Sequence, residues 1–224
     1  MCFANAHFRG FSLLELLIAI ALGSFICIGI FNLYSSLNRL SQRQQVISNF
    51  AQNTRFIADF LRNKINQAGD WSCSSRSPGS LSMPVKGYDA DEAKNKLGLT
   101  IKSGTDLLQL HECIRLHDKP QYLSIEFFVA DTFRTTSLNK KVYALFFKVA
   151  HHPREELITG MKNFQLSFGV RDRSQQNICA YHQSSSISDW KKVGAVKIRY
   201  TLFDDDFSLH QQGVLYAGLW TETK

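Results

Sequence analysis

Apolar residues fill the start of the chain almost without interruption. No residue between Leu16 and Phe31 is charged. An uncharged helix of about 20 residues, rising 1.5 Å per residue, can cross a hydrocarbon core roughly 30 Å thick. A single carboxylate, Glu15, stands where this run begins. Because a charge inside a membrane costs a few kcal/mol and usually has a partner, a simple membrane anchor does not account for Glu15.

Beyond Phe31 the apolar residues recur every three or four positions, which predicts that an amphipathic helix continues the first. No proline occurs between Met1 and Ser77, and Gly69 followed by Asp70 provides a helix end. The stripe from residue 47 to residue 68 is expected to be buried. The apolar positions of the repeat are Leu33, Leu37, Leu40, Ile47, Phe50, Ile57, Leu61, Ile65 and Ala68.

The remainder of the chain alternates strand-like runs with polar turns. Residues 71–99 are rich in Ser, Gly, Pro, Asp and Lys, which predicts a surface loop with room for a short turn of helix. Runs of apolar, β-branched or aromatic residues then predict strands. A long helix followed by about six antiparallel strands gives an α+β fold. The predicted strands are residues 106–112, 122–130, 142–150, 162–170, 193–203 and 214–220.

Composition and charge are those of a folded protein. The 224 residues are 44% hydrophobic and 20% charged, which excludes a disordered chain. The formal net charge of +7 permits weak attraction to nucleic acid or anionic lipid. The basic residues are scattered, however, so a solvated surface is the favoured explanation.

Candidate catalytic and metal-binding motifs are weak. Residues 111–117, HECIRLH, lack the HExxH spacing and lie in a predicted strand, where positions i and i+4 share no helix face. His151 and His152 precede Pro153, which predicts a turn. The three aspartates at 204–206 could bind calcium, but the EF-hand spacing is absent, so a solvated acidic turn is favoured. No GxSxG, P-loop or paired-carboxylate motif occurs, so the sequence predicts no active site, no metal and no cofactor.

The segment Gly10-Phe11-Ser12-Leu13-Leu14-Glu15 resembles the prepilin signature of type IV pilins and type II secretion pseudopilins. The resemblance implies that a membrane prepilin peptidase cuts between Gly10 and Phe11 and that Phe11 is then N-methylated. Glu15 becomes the fifth mature residue, whose carboxylate would pair with the amino terminus of a neighbouring subunit and set the axial register of a filament. The alternative is a glutamate that merely lies near the membrane interface.

Later stretches resemble minor pilins of the PilW type. They are NTRFIADFLRNKINQAGDWSC, SGTDLLQLHEC, ELITGMKNFQLSFGV and ISDWKKVGAVKIRYTL. The resemblance implies a pilin-like fold with four parts: a leader at 1–10, a transmembrane helix half at 11–32, an amphipathic half at 33–69 and a periplasmic antiparallel β domain at 70–224. Residues 203–224 carry no such resemblance, and their role stays open.

The resemblance also implies a location and partners. The chain would lie in the inner membrane with its C-terminal domain in the periplasm and then at the pilus tip. There it would help to prime assembly with other minor pilins and the major pilin. Two alternatives stay open: a J-like type II secretion pseudopilin, and a membrane-anchored adhesin or DNA-binding module. A membrane-anchored enzyme is disfavoured, since no catalytic motif is present.

Five cysteines complete the sequence features. Cys2 and Cys27 belong to the N-terminal region, which leaves Cys73, Cys113 and Cys179 for one disulfide and one free thiol. Spacing alone does not choose among the pairings. The PilW-type resemblance favours Cys73 with Cys113, because both occupy positions where that family often has cysteine. Cys113 with Cys179 is the alternative.

Overall fold

A computed structural model describes residues 12–70, 73, 83–97, 101–116, 119–150, 152–171, 177–206 and 208–219. The chain divides into two compact units, Met1–Ser48 and Asn49–Lys224. It contains α1 (Leu13–Gln67), β1 (Val85–Tyr88), α2 (Ala90–Leu97), β2 (Leu107–Leu116), β3 (Lys119–Thr135), β4 (Lys141–Val149), β5 (Glu155–Thr159), β6 (Met161–Arg171), β7 (Ile178–His182), β8 (Val193–Asp204) and β9 (Leu209–Gly218). Short 3-10 turns lie at Ser184–Ser186 and Trp190–Lys192.

Helix α1 is a single helix of 55 residues, as the repeat predicted. It ends where Gly69 takes a left-handed φ of 89°, and the N–H of Gly69 donates to the carbonyl of His111 at 2.8 Å. The buried stripe is shorter than expected, because Ile47 is 52% exposed and burial begins at Phe50. The buried side chains of the stripe are Phe50, Ile57, Leu61, Ile65 and Ala68.

The α+β, pilin-like fold class is confirmed, and the described strands form two sheets. Sheet A has the order β1-β2-β3-β4-β5 and sheet B the order β7-β6-β8-β9, and every pairing is antiparallel. Gly160, φ 82°, separates β5 from β6 and bonds to both sheets. Its N–H donates to Tyr143 of β4, and its carbonyl accepts from Phe203 of β8, both at 2.8 Å.

The six predicted strands are present, and three short ones were missed. Strand β1 lies within the region expected to be a surface loop, whereas helix α2 is a short helix of the kind expected there. Strands β5 and β7 have five residues each. All three missed strands are edges of the described sheets, and each has only four or five residues, the shortest runs from which a strand can be predicted.

Phenylalanines dominate the core of the second unit. Phe127, Phe128, Phe164 and Phe168 are fully buried. The ring of Phe60 on α1 lies edge-on to Phe127, with ring centroids 6.2 Å apart, so the end of the helix packs into sheet A. Aromatic burial of this kind is a main source of core stability.

A loop before β2 links the two sheets. The backbone N–H of Asp106 donates to the carbonyl of Phe164 at 2.9 Å, and the Asp106 carboxylate accepts the N–H of Leu166 at 2.8 Å. Burial raises the pKa of Asp106 to about 6, although the Leu166 hydrogen bond opposes the shift. The Asp106 carboxyl group therefore pairs with a backbone N–H of β6. Burial at the same time disfavours the charged form of that carboxyl group.

Candidate assembly interface

The helix in the first unit exposes large apolar side chains around its whole circumference. From Leu13 to Leu40 these side chains are between 51% and 78% exposed. The first half of α1 is long and apolar enough to cross a membrane, on length and composition alone. Such a surface is stable only when lipid or other apolar helices cover it.

Glu15 forms a capping box with Ser12 at the start of α1. The N–H of Ser12 donates to Oε2 of Glu15 at 3.0 Å, and the N–H of Leu14 donates to Oγ of Ser12 at 3.3 Å. The carbonyl of Ser12 accepts the N–H of Leu16 at 3.2 Å. Two backbone donors that a helix leaves unpaired are thus satisfied reciprocally. Sequence reasoning missed this role, although Ser-x-x-Glu is the known signature.

Both sides of the predicted cleavage site, Gly10 and Phe11, lie outside the described residues. Glu15 is solvent-exposed, and the Ser12 hydrogen bond uses one of its two carboxylate oxygens. An ionised carboxylate can accept about four hydrogen bonds. The capping box therefore leaves acceptor capacity for a second donor close to the helix start.

An ion pair fastens the end of α1 to sheet A. Nζ of Lys64 lies 2.6 Å from Oε1 of Glu112, and the Glu112 side chain is only 2% exposed. Among the described residues, Oε2 of Glu112 has no hydrogen-bond partner. Lys64 is thus the main compensation for a nearly buried carboxylate.

A disulfide joins Cys73 to Cys113, with their Cα atoms 5.8 Å apart. This is the pairing that the resemblance favours. Cys113 follows Glu112 on β2, so the disulfide and the ion pair attach the same region of the helix end to the same strand. Cys27 is free and exposed. The side chain of Cys179 lies outside the described residues, so the structure gives no account of its pairing.

Residues 111–116 of the histidine motif lie on strand β2, as the sequence predicted. Nδ1 of His111 is 3.0 Å from the carbonyl oxygen of Met83, and its ring stacks on Tyr122. The backbone of His152 forms a turn with Val149, whereas His117 and His151 lie outside the described residues. His111 thus has a structural role between β2 and its neighbours.

Lysine side chains lie close to the acidic turn at residues 204–206. Oδ1 of Asp205 lies 3.4 Å from Nζ of Lys140 and 3.9 Å from Nζ of Lys162. Asp206 accepts a hydrogen bond from the hydroxyl of Ser137. Within the described part of the chain, no three His, Cys, Asp or Glu side chains converge to hold a metal ion.

These features define a pilin-like protein: a long apolar N-terminal helix whose C-terminal part packs on antiparallel sheets. Residues 126–210 match the family described as Type IV Pilus-assembly protein W, and residues 5–31 match the prokaryotic N-terminal methylation motif. The chain thus carries a region of the PilW family of type IV pilus-assembly proteins, a family that is generally non-enzymatic. No curated protein and no solved structure matches it.

Proposed function

We propose that the chain is a minor pilin that primes type IV pilus assembly and stays at the pilus tip with other minor pilins. The observation that carries the proposal is the methylation motif at residues 5–31, which overlaps the first half of α1, where the large apolar side chains are all exposed. Membrane lipid would cover that helix before assembly, and the helices of neighbouring pilins would cover it afterwards.

Processing after Gly10 would bring a new amino group close to the capping box. The mature chain would begin with Phe11, directly before Ser12, and its N-methylated amino group stays cationic. In an assembled filament Glu15 would accept from the amino group of a neighbouring subunit while still accepting from Ser12. A paired carboxylate is far less costly in an apolar surrounding than an isolated one, which favours one axial register.

The disulfide supports a periplasmic position for the second unit. Disulfides persist in the bacterial periplasm and are rare in the cytosol. Cys73 and Cys113 both belong to the unit that follows the apolar helix. A single-pass orientation with the C-terminal unit in the periplasm is consistent with both features.

The first test is the intact mass of the full chain, expressed with and without a prepilin peptidase, alongside a Gly10→Glu variant. We expect loss of residues 1–10 and a methyl group on Phe11 only when the peptidase is present and Gly10 is intact. An uncut chain, beside a control pilin that is cut, would refute the proposal and favour a membrane-anchored adhesin.

The second test separates the two roles of Glu15 in cells that lack the native chain. Ser12→Ala removes part of the capping box and keeps the carboxylate, whereas Glu15→Gln removes the charge and keeps an acceptor for the Ser12 N–H. If the charge sets the register, Glu15→Gln reduces piliation far more than Ser12→Ala. Equal losses would show that Glu15 acts only as a helix cap.

A further inference from the structure

One strand edge in the second unit lacks every protection that the other described edges have. Sheet A ends in β1 and β5, and sheet B ends in β7 and β9. An open edge presents unpaired N–H and C=O groups, and natural proteins protect such edges by shortness, charge or bulges. An edge without such protection can form backbone hydrogen bonds with a strand of another chain.

Three of the edges are protected. Strand β1 has four residues and carries Lys86. Strand β5 has five residues, includes Glu155 and Glu156, and has an irregular register with β4. Strand β7 also has five residues and an irregular register with β6.

Strand β9 has none of these protections. It has 10 residues without Asp, Glu, Lys, Arg or Pro. All 10 are in register with β8, from Ala195 opposite Gly218 to Asp204 opposite Leu209, without a bulge. Among the described residues β8 is its sole strand partner.

Backbone alternation identifies the free groups of β9. The N–H of Leu219 donates to the carbonyl of Gly194 directly opposite, at 2.9 Å, so every second residue of β9 before Leu219 also bonds to β8. The intervening residues direct their N–H and C=O groups away from β8. These residues are His210, Gln212, Val214, Tyr216 and Gly218, and the side chains of all but Gly218 lie exposed on the outer face of sheet B.

The outer face beside this edge is apolar and cationic. Val214 is 54% and Tyr216 53% exposed. Opposite them on β8 stand Arg199 and Lys197, and Nζ of Lys197 lies 5.2 Å from the centroid of the Tyr216 ring. The described residues that β6, β8 and β9 place on this face include no aspartate or glutamate.

We infer that the open edge of β9 pairs with an extended strand of a neighbouring pilin subunit, whose side chains on the same face include carboxylates. Pairing by strand addition takes its affinity from main-chain hydrogen bonds and its specificity from alternate side chains. A residue opposite Val214 would lie about 10 Å from the Arg199 backbone, two strand spacings away, which two long side chains can span. A second copy would bring the same two cations instead of carboxylates. The inference rests on the proposed function, since it takes the partner to be a pilin.

Proline substitution tests the backbone pairing directly. Val214→Pro and Gln212→Pro each remove an N–H that points away from β8, and proline is tolerated on edge strands for that reason. Val214→Thr is the matched control, because it removes apolar surface and keeps the N–H. Leu215→Pro removes an N–H that bonds to β8 and is expected to disrupt the fold.

The readout is co-purification of the full-length chain with its pilin partners, from cells in which each variant replaces the native chain. We expect both outward proline variants to lose at least tenfold in recovered partner, with an unchanged urea midpoint, and Val214→Thr to stay within about threefold of wild type. Wild-type recovery by the proline variants, or an equal loss in Val214→Thr, would overturn strand pairing. If both proline variants unfold, the photo-crosslink from Gln212 decides the question, and the absence of a crosslink to another pilin would overturn strand pairing.

A photo-crosslinker at Gln212 identifies the occupant, with one at Lys86 on the β1 edge as control. We expect a specific crosslink at Gln212 to another pilin, and a weaker association in Arg199→Gln than in Lys86→Gln. A crosslink to a second copy of this chain, or equal crosslinking from Lys86, would overturn the assignment. Leader cleavage is measured in the same cells, so normal cleavage without edge pairing would refute this inference alone, whereas absent cleavage would refute the proposed function.

Discussion

Lys64, in the last turn of α1, neutralises Glu112, the most deeply buried glutamate in the described part of the chain. The two charged atoms are 2.6 Å apart, and the lysine keeps 27% of its side-chain exposure while the glutamate keeps 2%. Removal of one partner from such a pair leaves an uncompensated buried charge, whereas replacement of both by apolar residues is often neutral.

We therefore expect Lys64→Met to lower the free energy of unfolding by about 3–5 kcal/mol, because the Glu112 carboxylate loses its main partner. The double variant Lys64→Met/Glu112→Leu is expected to recover most of that loss. Urea unfolding of the full chain in detergent measures both. A double variant no more stable than Lys64→Met would show that the pair contributes net attraction rather than compensation for burial.

The disulfide between Cys73 and Cys113 closes a loop with a sequence separation of 40 residues. Replacing both cysteines by serine should lower the free energy of unfolding by about 2–4 kcal/mol, since the unfolded chain regains conformations that the disulfide forbids. Cys27→Ser is the matched control, because that thiol is free and exposed. The same urea titration, with and without reductant, compares the variants. A similar loss in Cys27→Ser would argue against this explanation.

Asp106 should make stability fall as pH rises through the range of about 4 to 6. Its pKa in the folded protein is about 6, above the ordinary value of 3.8, so the folded state holds the proton more tightly than the unfolded state. The associated stability is complete below pH 4 and lost as pH passes the folded pKa. Relative to Asp106→Asn, the wild type should lose on the order of 3 kcal/mol across this range.

The Asp106→Asn variant keeps an oxygen that can accept the Leu166 N–H, so it tests charge rather than hydrogen bonding. Unfolding free energies of both proteins, measured at several pH values between about 3.5 and 7.5, give the comparison. Parallel pH profiles would mean that Asp106 does not titrate differently in the folded state.

Gly160 should tolerate alanine less well than Gly104, although both have positive φ. A Cβ at Gly160 would lie 2.7 Å from the carbonyl oxygen of Phe203, whereas one at Gly104 would meet nothing within 4 Å. Both alanines carry the left-handed backbone penalty of about 1–2 kcal/mol. Gly160→Ala adds a clash with backbone, so its thermal midpoint should fall further. Equal midpoints would mean that the junction between β5 and β6 can shift to make room.

The secondary structure of segments rich in apolar residues was predicted well from the sequence. The helix, including its end at Gly69, follows from the apolar repeat and the absence of proline. The run around Phe127 predicted a central strand because it is a short, nearly continuous apolar stretch that is buried from Phe127 to Ala130. The run around Phe164 did so because alternate side chains, Phe164, Leu166 and Phe168, point into the core. The stripe residue Ile47 was wrongly expected to be buried, since a helical repeat does not tell tertiary burial from burial by lipid or another subunit.

Other features depend on distant contacts and could not be read from one segment. Strands β1 and β5 exist through their pairing with β2 and β4, not through their own propensity. The pairing of Lys64 with Glu112 joins residues 48 positions apart. Gly160 lies where one sheet gives way to the other. The sequence shows a glycine at this position, but it does not show that the residue forms hydrogen bonds with Tyr143 in one sheet and Phe203 in the other.

The attachment of the helix end to β2 also determines how the second unit would carry a pulling force. The disulfide provides a covalent path from Cys73, just beyond α1, to Cys113 on β2 of sheet A. Without it, tension on the helix could peel away the 40-residue connection, which would extend the chain by about 130 Å. With it, tension passes straight to β2, which is paired on both sides by β1 and β3. The disulfide therefore makes the link between helix and sheet nearly inextensible.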